Sequence, residues 1–161
     1  MINFVDAEKQ KEYRLEPDSL FIAKDVEKMT GIKANRIHYF SDAGILIPAR
    51  KAQKGEGILT YSFYDCVNVL EIFLINKLNA FFIPKRSIKE FFESIRDIRN
   101  SLNPFKISDH KESAFLIFSY DENGNLVSEF AENNSVKKAV SIVVDLKQLV
   151  SDLFKKVESL P

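Results

Sequence analysis

From residue 20 onward, apolar positions fall three and four apart in four successive stretches, the spacing of amphipathic helices. In LFIAKDVEKMTGI the pattern predicts a short helix over about 24–29. Val26 and Met29 face inward, Phe21 and Ile32 flank them, and Gly31 makes the turn. KANRIHYFSDAGIL, residues 33–46, predicts a second short helix over about 34–43. Ile37 and Phe40 share one face, and Gly44 suits the left-handed conformation that closes a helix. LIPARKAQKGEGILTYS then gives two extended stretches around a Lys-Gly-Glu-Gly tip, which is a hairpin signal. Ser62 with Asp65 fits a capping box for a longer helix over about 63–80, with Val67, Leu70, Phe73, Leu74 and Leu78 at core spacing. Pro84 suits the first turn of a helix over 85–98 that directs Ile88, Phe91, Phe92, Ile95 and Ile98 inward.

Beyond the polar, turn-rich NSLNPFKISDHKE the pattern changes. AFLIFSY and NLVSEF flank DENG, a β-hairpin signal because the Asn-Gly pair tolerates positive φ. VSIVVDL predicts a third strand. Asp145 and Gln148 can cap a final helix over 146–159, whose stripe of Leu146, Leu149, Val150, Leu153, Val157 and Leu160 suits a core or a dimer seam equally. Residues 1–19 are mostly polar and fit either a free arm or a strand built from Ile2, Phe4 and Val5.

Two short helices, a tight turn, a basic hairpin and a longer helix make the order of a winged helix-turn-helix. The expected class is α+β. An extension (1–19) precedes a mostly helical winged helix-turn-helix domain with a small β wing (20–98). A linker (99–113) and a small α/β module of hairpin, strand and helix (114–161) follow.

Composition narrows the function classes. With 161 residues, 45% hydrophobic content and 14 Phe, the chain can bury a real core. Basic and acidic residues cancel at 23 each, which argues against wholesale adhesion to nucleic acid or membrane. Their distribution is uneven. Residues 20–100 carry 13 basic against nine acidic side chains, while 1–19 and 101–161 are each net negative. Within 33–54, Lys33, Arg36, Arg50, Lys51 and Lys54 face a single acid, Asp42. Such a patch is either a docking face or a solvated loop. One cysteine, Cys66, excludes an internal disulfide, and its apolar neighbours favour buried packing. No apolar run approaches the length of a membrane span and no secretory leader is evident, so a cytoplasmic protein without a membrane partner is expected.

Catalytic signals are weak. KGEG lacks the ending of a phosphate loop, and no Ser/His/Asp spacing suggests a nucleophile. His38 and His110 are far apart and Cys66 stands alone, so neither a metal site nor a cofactor is expected. The expectation is a protein that is not an enzyme.

The residues from Phe21 to about Asp97 resemble the DNA-binding domain of MerR-type transcriptional regulators. AKDVEKMTGI looks like that family's first helix and turn, and RIHYFSDAGILIP is similar to its recognition segment, T-I-R-Y-Y-E-x-x-G-L-L-x-P. GILTYS and FYDCVNVLEIFLINKL stand where the wing's second strand and the next helix belong. The resemblance implies a dimer on a palindromic promoter element of double-stranded DNA, with the second helix in the major groove. Lys33, Asn35, Arg36 and His38 would then offer donors to bases or phosphates, Tyr39 would hold the backbone through its hydroxyl, and Arg50, Lys51 and Lys54 would make the wing contacts. Three positions depart from the family. His38 replaces an arginine, Phe40 a tyrosine, and Leu59 the wing's basic residue before its tyrosine. The chain also has no cysteine after Cys66, which argues against a metal or oxidant effector, and no small-molecule effector is identified. The alternative function is a MerR-like protein-assembly module or an excisionase-like DNA-bending factor.

Overall fold

The computed structural model describes residues 14–53, 60–111, 114–132 and 141–161. Lys54, the Lys-Gly-Glu-Gly tip and most of the 1–19 extension lie outside the described residues. The fold is of the expected mixed α+β class, with helices and two small antiparallel sheets.

Two short helices come first, α1 (Ala23–Thr30) and α2 (Ala34–Asp42). Gly31, at φ 79°, ends α1 and donates its N–H to the Glu27 carbonyl at 2.8 Å. Gly44, at φ 70°, turns the chain after α2, so that the N–H groups of Ile45 and Leu46 both reach the Phe40 carbonyl. The inward faces are those the spacing indicates. Val26, Met29, Ile37 and Phe40 are all buried.

The hairpin β1 (Arg50–Gln53) and β2 (Thr60–Phe63) pairs Arg50 with Phe63, Lys51 with Ser62, Ala52 with Tyr61 and Gln53 with Thr60. Helix α3 (Cys66–Ala80) begins later than the expected position 63, and the expected Ser62–Asp65 box is displaced by three residues. The reason is Tyr64. It stays extended and exchanges both backbone hydrogen bonds with Phe21, each at 2.8 Å. Asp65 therefore becomes the cap. It accepts from the Asn68 N–H while the Asn68 side chain accepts from its own N–H, a reciprocal box.

Helix α4 (Lys85–Ser94) buries Ile88, Phe91 and Phe92 but stops short of 98. The chain continues as a 3₁₀ segment, Arg96–Leu102, whose tighter winding turns Ile98 out to solvent instead of inward. The expected linker at 99–113 is largely folded. Asn103 caps a further helix, α5 (Pro104–Asp109), and Leu102 and Ile107 are buried. The polar composition of this stretch concealed two apolar anchors at a spacing too sparse to register.

Strands β3 (Phe115–Tyr120), β4 (Leu126–Ala131) and β5 (Ser141–Asp145) form a sheet in the order β4-β3-β5. The DENG turn closes as expected. Gly124 sits at φ 77°, and the Asp121 carboxylate accepts from the N–H groups of Asn123 and Asn125. Helix α6 (Leu146–Glu158) starts directly off β5 with Asp145 as its cap. Its stripe is core. Leu146, Leu149, Val150, Leu153 and Val157 join one hydrophobic cluster with Val26, Met29, Leu70 and Leu74. Lys156 adds a polar latch by donating to the Thr30 carbonyl, at the last residue of α1, at 3.0 Å.

Because α6 completes the core under α1 and α3, both halves of the chain are expected to unfold together. Leu153 is fully buried, so Leu153→Ala should cost roughly 2–5 kcal/mol. Denaturant titration followed by circular dichroism should show one transition moved to lower midpoint. Two separated transitions would contradict the shared core.

Candidate nucleic-acid interface

Helix α2 divides into a buried edge and a wide exposed face. Ile37 and Phe40 fill the core, and the Ser41 hydroxyl lies 3.1 Å from the buried Tyr64 hydroxyl, pinning the helix to the hairpin's exit. The entry is pinned by α1. The Glu27 carboxylate accepts from the Ala34 N–H at 2.9 Å, an uncapped donor at the start of α2, and this bond holds its carboxyl below the usual carboxylate range.

What faces outward is Asn35, Arg36, His38, Tyr39 and Asp42. At 100° per residue, His38 lies on one flank of the exposed face and Arg36 with Tyr39 on the other. The His38 flank meets the hairpin. His38, Asp42, Lys51, Gln53, Thr60 and Ser62 line one polar cleft of about 740 Å³. The Arg36 flank meets α4. The Lys85 ammonium sits 4.7 Å from the centre of the Tyr39 ring, and the Arg36 guanidinium lies 5.6 Å from the Phe40 ring.

The structure thus brings together some of the sequence-selected residues and separates others. Asn35, Arg36, His38, Tyr39 and Lys51 share one surface. Lys33 stands at the α2 cap with its ammonium 3.3 Å from Glu27, so its charge is partly answered within the protein. Arg50 alternates to the opposite face of the hairpin from Lys51, on the side of Ala52, Tyr61 and Phe63. Lys54 lies outside the described residues. Sequence reasoning passed over Lys85, whose place beside α2 follows from the packing of α4. Its signal was the Lys-Arg pair directly after Pro84.

Beneath the hairpin lies a polar network that the periodicity did not reveal. Asn68 is fully buried on α3. Its side chain donates to the Ile47 carbonyl and to Glu71 at 2.9 and 2.8 Å, and accepts from the Ala49 N–H at 3.0 Å. Arg99 closes the network with two hydrogen bonds to Asp65, and its Nε is 3.9 Å from Glu71. The chain entering β1 is therefore hydrogen-bonded to the start of α3 and, through it, to the 3₁₀ segment. Cys66 is buried beside this network, and burial pushes its thiol up.

No family model matches the sequence, and no curated protein matches it. Among the described residues no helix is long and apolar enough to cross a membrane.

Glu71 supplies a pH test of the network. Burial pushes its carboxyl up to about 7, against the opposing pull of Arg99 and Asn68 and with Asp65 adding to the rise. A carboxyl raised above its unfolded value stabilises when protonated. That stability is full below about pH 4.5 and is lost as pH climbs through about 7. The whole window amounts to about 3 kcal/mol. Glu71→Gln keeps an acceptor for Asn68 and should flatten stability between pH 5 and 8, gaining on the parent at the alkaline end. An unchanged pH slope in denaturant midpoints would show that Glu71 titrates normally.

Proposed function

We propose that this chain is a sequence-specific DNA-binding regulator of MerR type, with α2 as the recognition helix and the β1–β2 hairpin as the wing. One observation carries the reading. A firmly anchored helix presents Asn35, Arg36, His38 and Tyr39 as an exposed donor-rich face, with Lys51 on its hairpin flank and Lys85 on its α4 flank. A major groove accepts a helix of this kind while flanking cations meet phosphates. Electrostatics supports it as well, since residues 20–100 hold 13 basic and nine acidic side chains in a chain that is neutral as a whole.

In this reading a dimer straddles a palindromic promoter element. The apolar stripe of α6 is spent in the core, so the two-fold contact uses another surface. Arg36 reads a base edge, Lys51 and Lys85 fix register on the backbone, and Lys33, paired with Glu27, contributes less than its exposure suggests.

A second reading, a protein-assembly module, has Asp42 on its side. Its carboxylate lines the same cleft as His38 and Lys51, where it repels phosphate, and Arg50 points away from that cleft.

Selection of bound duplexes from a random library at two salt concentrations decides between the readings. A regulator enriches one palindrome, and each phosphate contact adds about −0.9 to the slope of log K against log salt. Arg36→Ala should relax base preference by roughly 1–3 kcal/mol at one position. Lys51→Ala should weaken all sequences alike and reduce the salt slope by about one contact. No binding at low salt would favour assembly.

A further inference from the structure

Phe82 is the most exposed large apolar side chain described, at 93%, and neighbouring Phe81 is 55% exposed. Both stand in the turn between α3 and α4. Phe82 also holds φ 57°, the left-handed conformation, as the only non-glycine residue to do so among those described. It occupies the position just past the C-cap of α3, where glycine is the usual residue because any Cβ is strained there. A bulky aromatic kept in a strained and fully wet position contributes nothing to the core. Strain of this kind concentrates where a side chain must be presented.

Its surroundings name the occupant. From Ile72 to Lys89 the chain carries four basic residues, Lys77, Lys85, Arg86 and Lys89, and no acidic one. Arg86 and Lys89 pair with Glu90 and Glu93 on the exposed side of α4, and exposed pairs of this sort are worth only about 0–1 kcal/mol, so a phosphate can take the carboxylate's place. Two copies of such a segment repel each other, which disfavours self-association through the aromatics. A polyanion is attracted. Two residues, Ile83 and Pro84, separate Phe82 from Lys85, a span of at most about 10 Å of chain, and the Lys85 ammonium rests on Tyr39 of the proposed recognition face.

We propose that Phe82 is a wedge, inserting its ring into a base step flanking the segment contacted by α2, while Lys85 and Arg86 hold the adjacent phosphates. Apolar side chains used this way unstack a step and kink the duplex away from the wedge. The inference rests on the DNA-binding reading and deepens it by assigning the residue that deforms the duplex.

Phe82→Gly makes a clean test because glycine relieves the left-handed strain and preserves the fold. The probe is the duplex selected by the full-length protein, labelled at both ends for energy transfer and carrying 2-aminopurine at the flanking steps. The parent should bring the ends together and brighten 2-aminopurine at one step in each half-site. Phe82→Gly should bind at least fivefold more weakly and lose both signals, with thermal stability equal to or above the parent's. Phe82→Leu should restore part of each signal. Bending and 2-aminopurine signals unchanged in Phe82→Gly would overturn the wedge while leaving the DNA reading intact. A change in the sedimentation of the free protein instead would identify a protein–protein contact and also overturn it. Failure of the parent to bind any duplex at low salt would overturn the DNA reading and the wedge together.

Discussion

Asn68 is the side chain on which the N-terminal architecture turns. A buried amide must find partners for its oxygen and its two N–H groups, since each unsatisfied group costs about 1–3 kcal/mol. Here the oxygen serves the Ala49 and Asp65 N–H groups, and the nitrogen serves the Ile47 carbonyl and Glu71. The chain leaving α2 must therefore pass Asn68 at one place, and β1 starts from there. Position of the hairpin relative to α2 is thus a consequence of hydrogen-bond satisfaction beneath it, more than of packing within its own four-residue strands.

The second constraint is the shared core. A nine-residue helix such as α2 has no stability of its own in water, so its orientation is inherited from what it packs against. That support includes the far end of the sequence. Helix α6 lies under α1 and α3, and Lys156 caps the carbonyl end of α1. A C-terminal segment that looks separable by composition thereby helps to set the angle at which the exposed α2 face is presented. Perturbing the sheet or α6 reaches α2 through packed side chains, with no need for a dedicated relay.

Much of the helical scaffold could be read directly from the spacing of apolar residues. Val26 with Met29, Ile37 with Phe40, and the α6 stripe all face where periodicity puts them, and Gly31, Gly44 and Gly124 turn the chain as their positive φ requires. What stayed hidden was tertiary. Tyr64 was absorbed into the predicted helix because nothing local shows that Phe21 will pair with it. The 99–113 segment looked like a linker because Leu102 and Ile107 are too sparse to make a stripe. Asn68 and Arg99 lie 31 positions apart in the chain, the one in an expected helix and the other in the expected linker, and only folding brings both to Glu71. Of the candidate interface, the α2 residues were visible in sequence. The partition of Arg50 from Lys51 needed the hairpin register, and Lys85 needed the packing of α4.

The cleft beside His38 and the placement of Lys85 on Tyr39 belong to one charge balance across α2. A guanidinium at position 38 would have shared the cleft with Asp42 and Lys51, where the carboxylate would hold it inside the protein. As the cleft stands, the Lys51 ammonium and the Asp42 carboxylate share its lining with the His38 imidazole. On the other flank Arg36 and Lys85 rest on aromatic faces and have no carboxylate partner among the described residues. Attraction for a polyanion is therefore biased toward the α4 side of α2. Phe82 stands three positions before Lys85, in the turn between α3 and α4, so the exposed ring and that cation belong to one short stretch of chain.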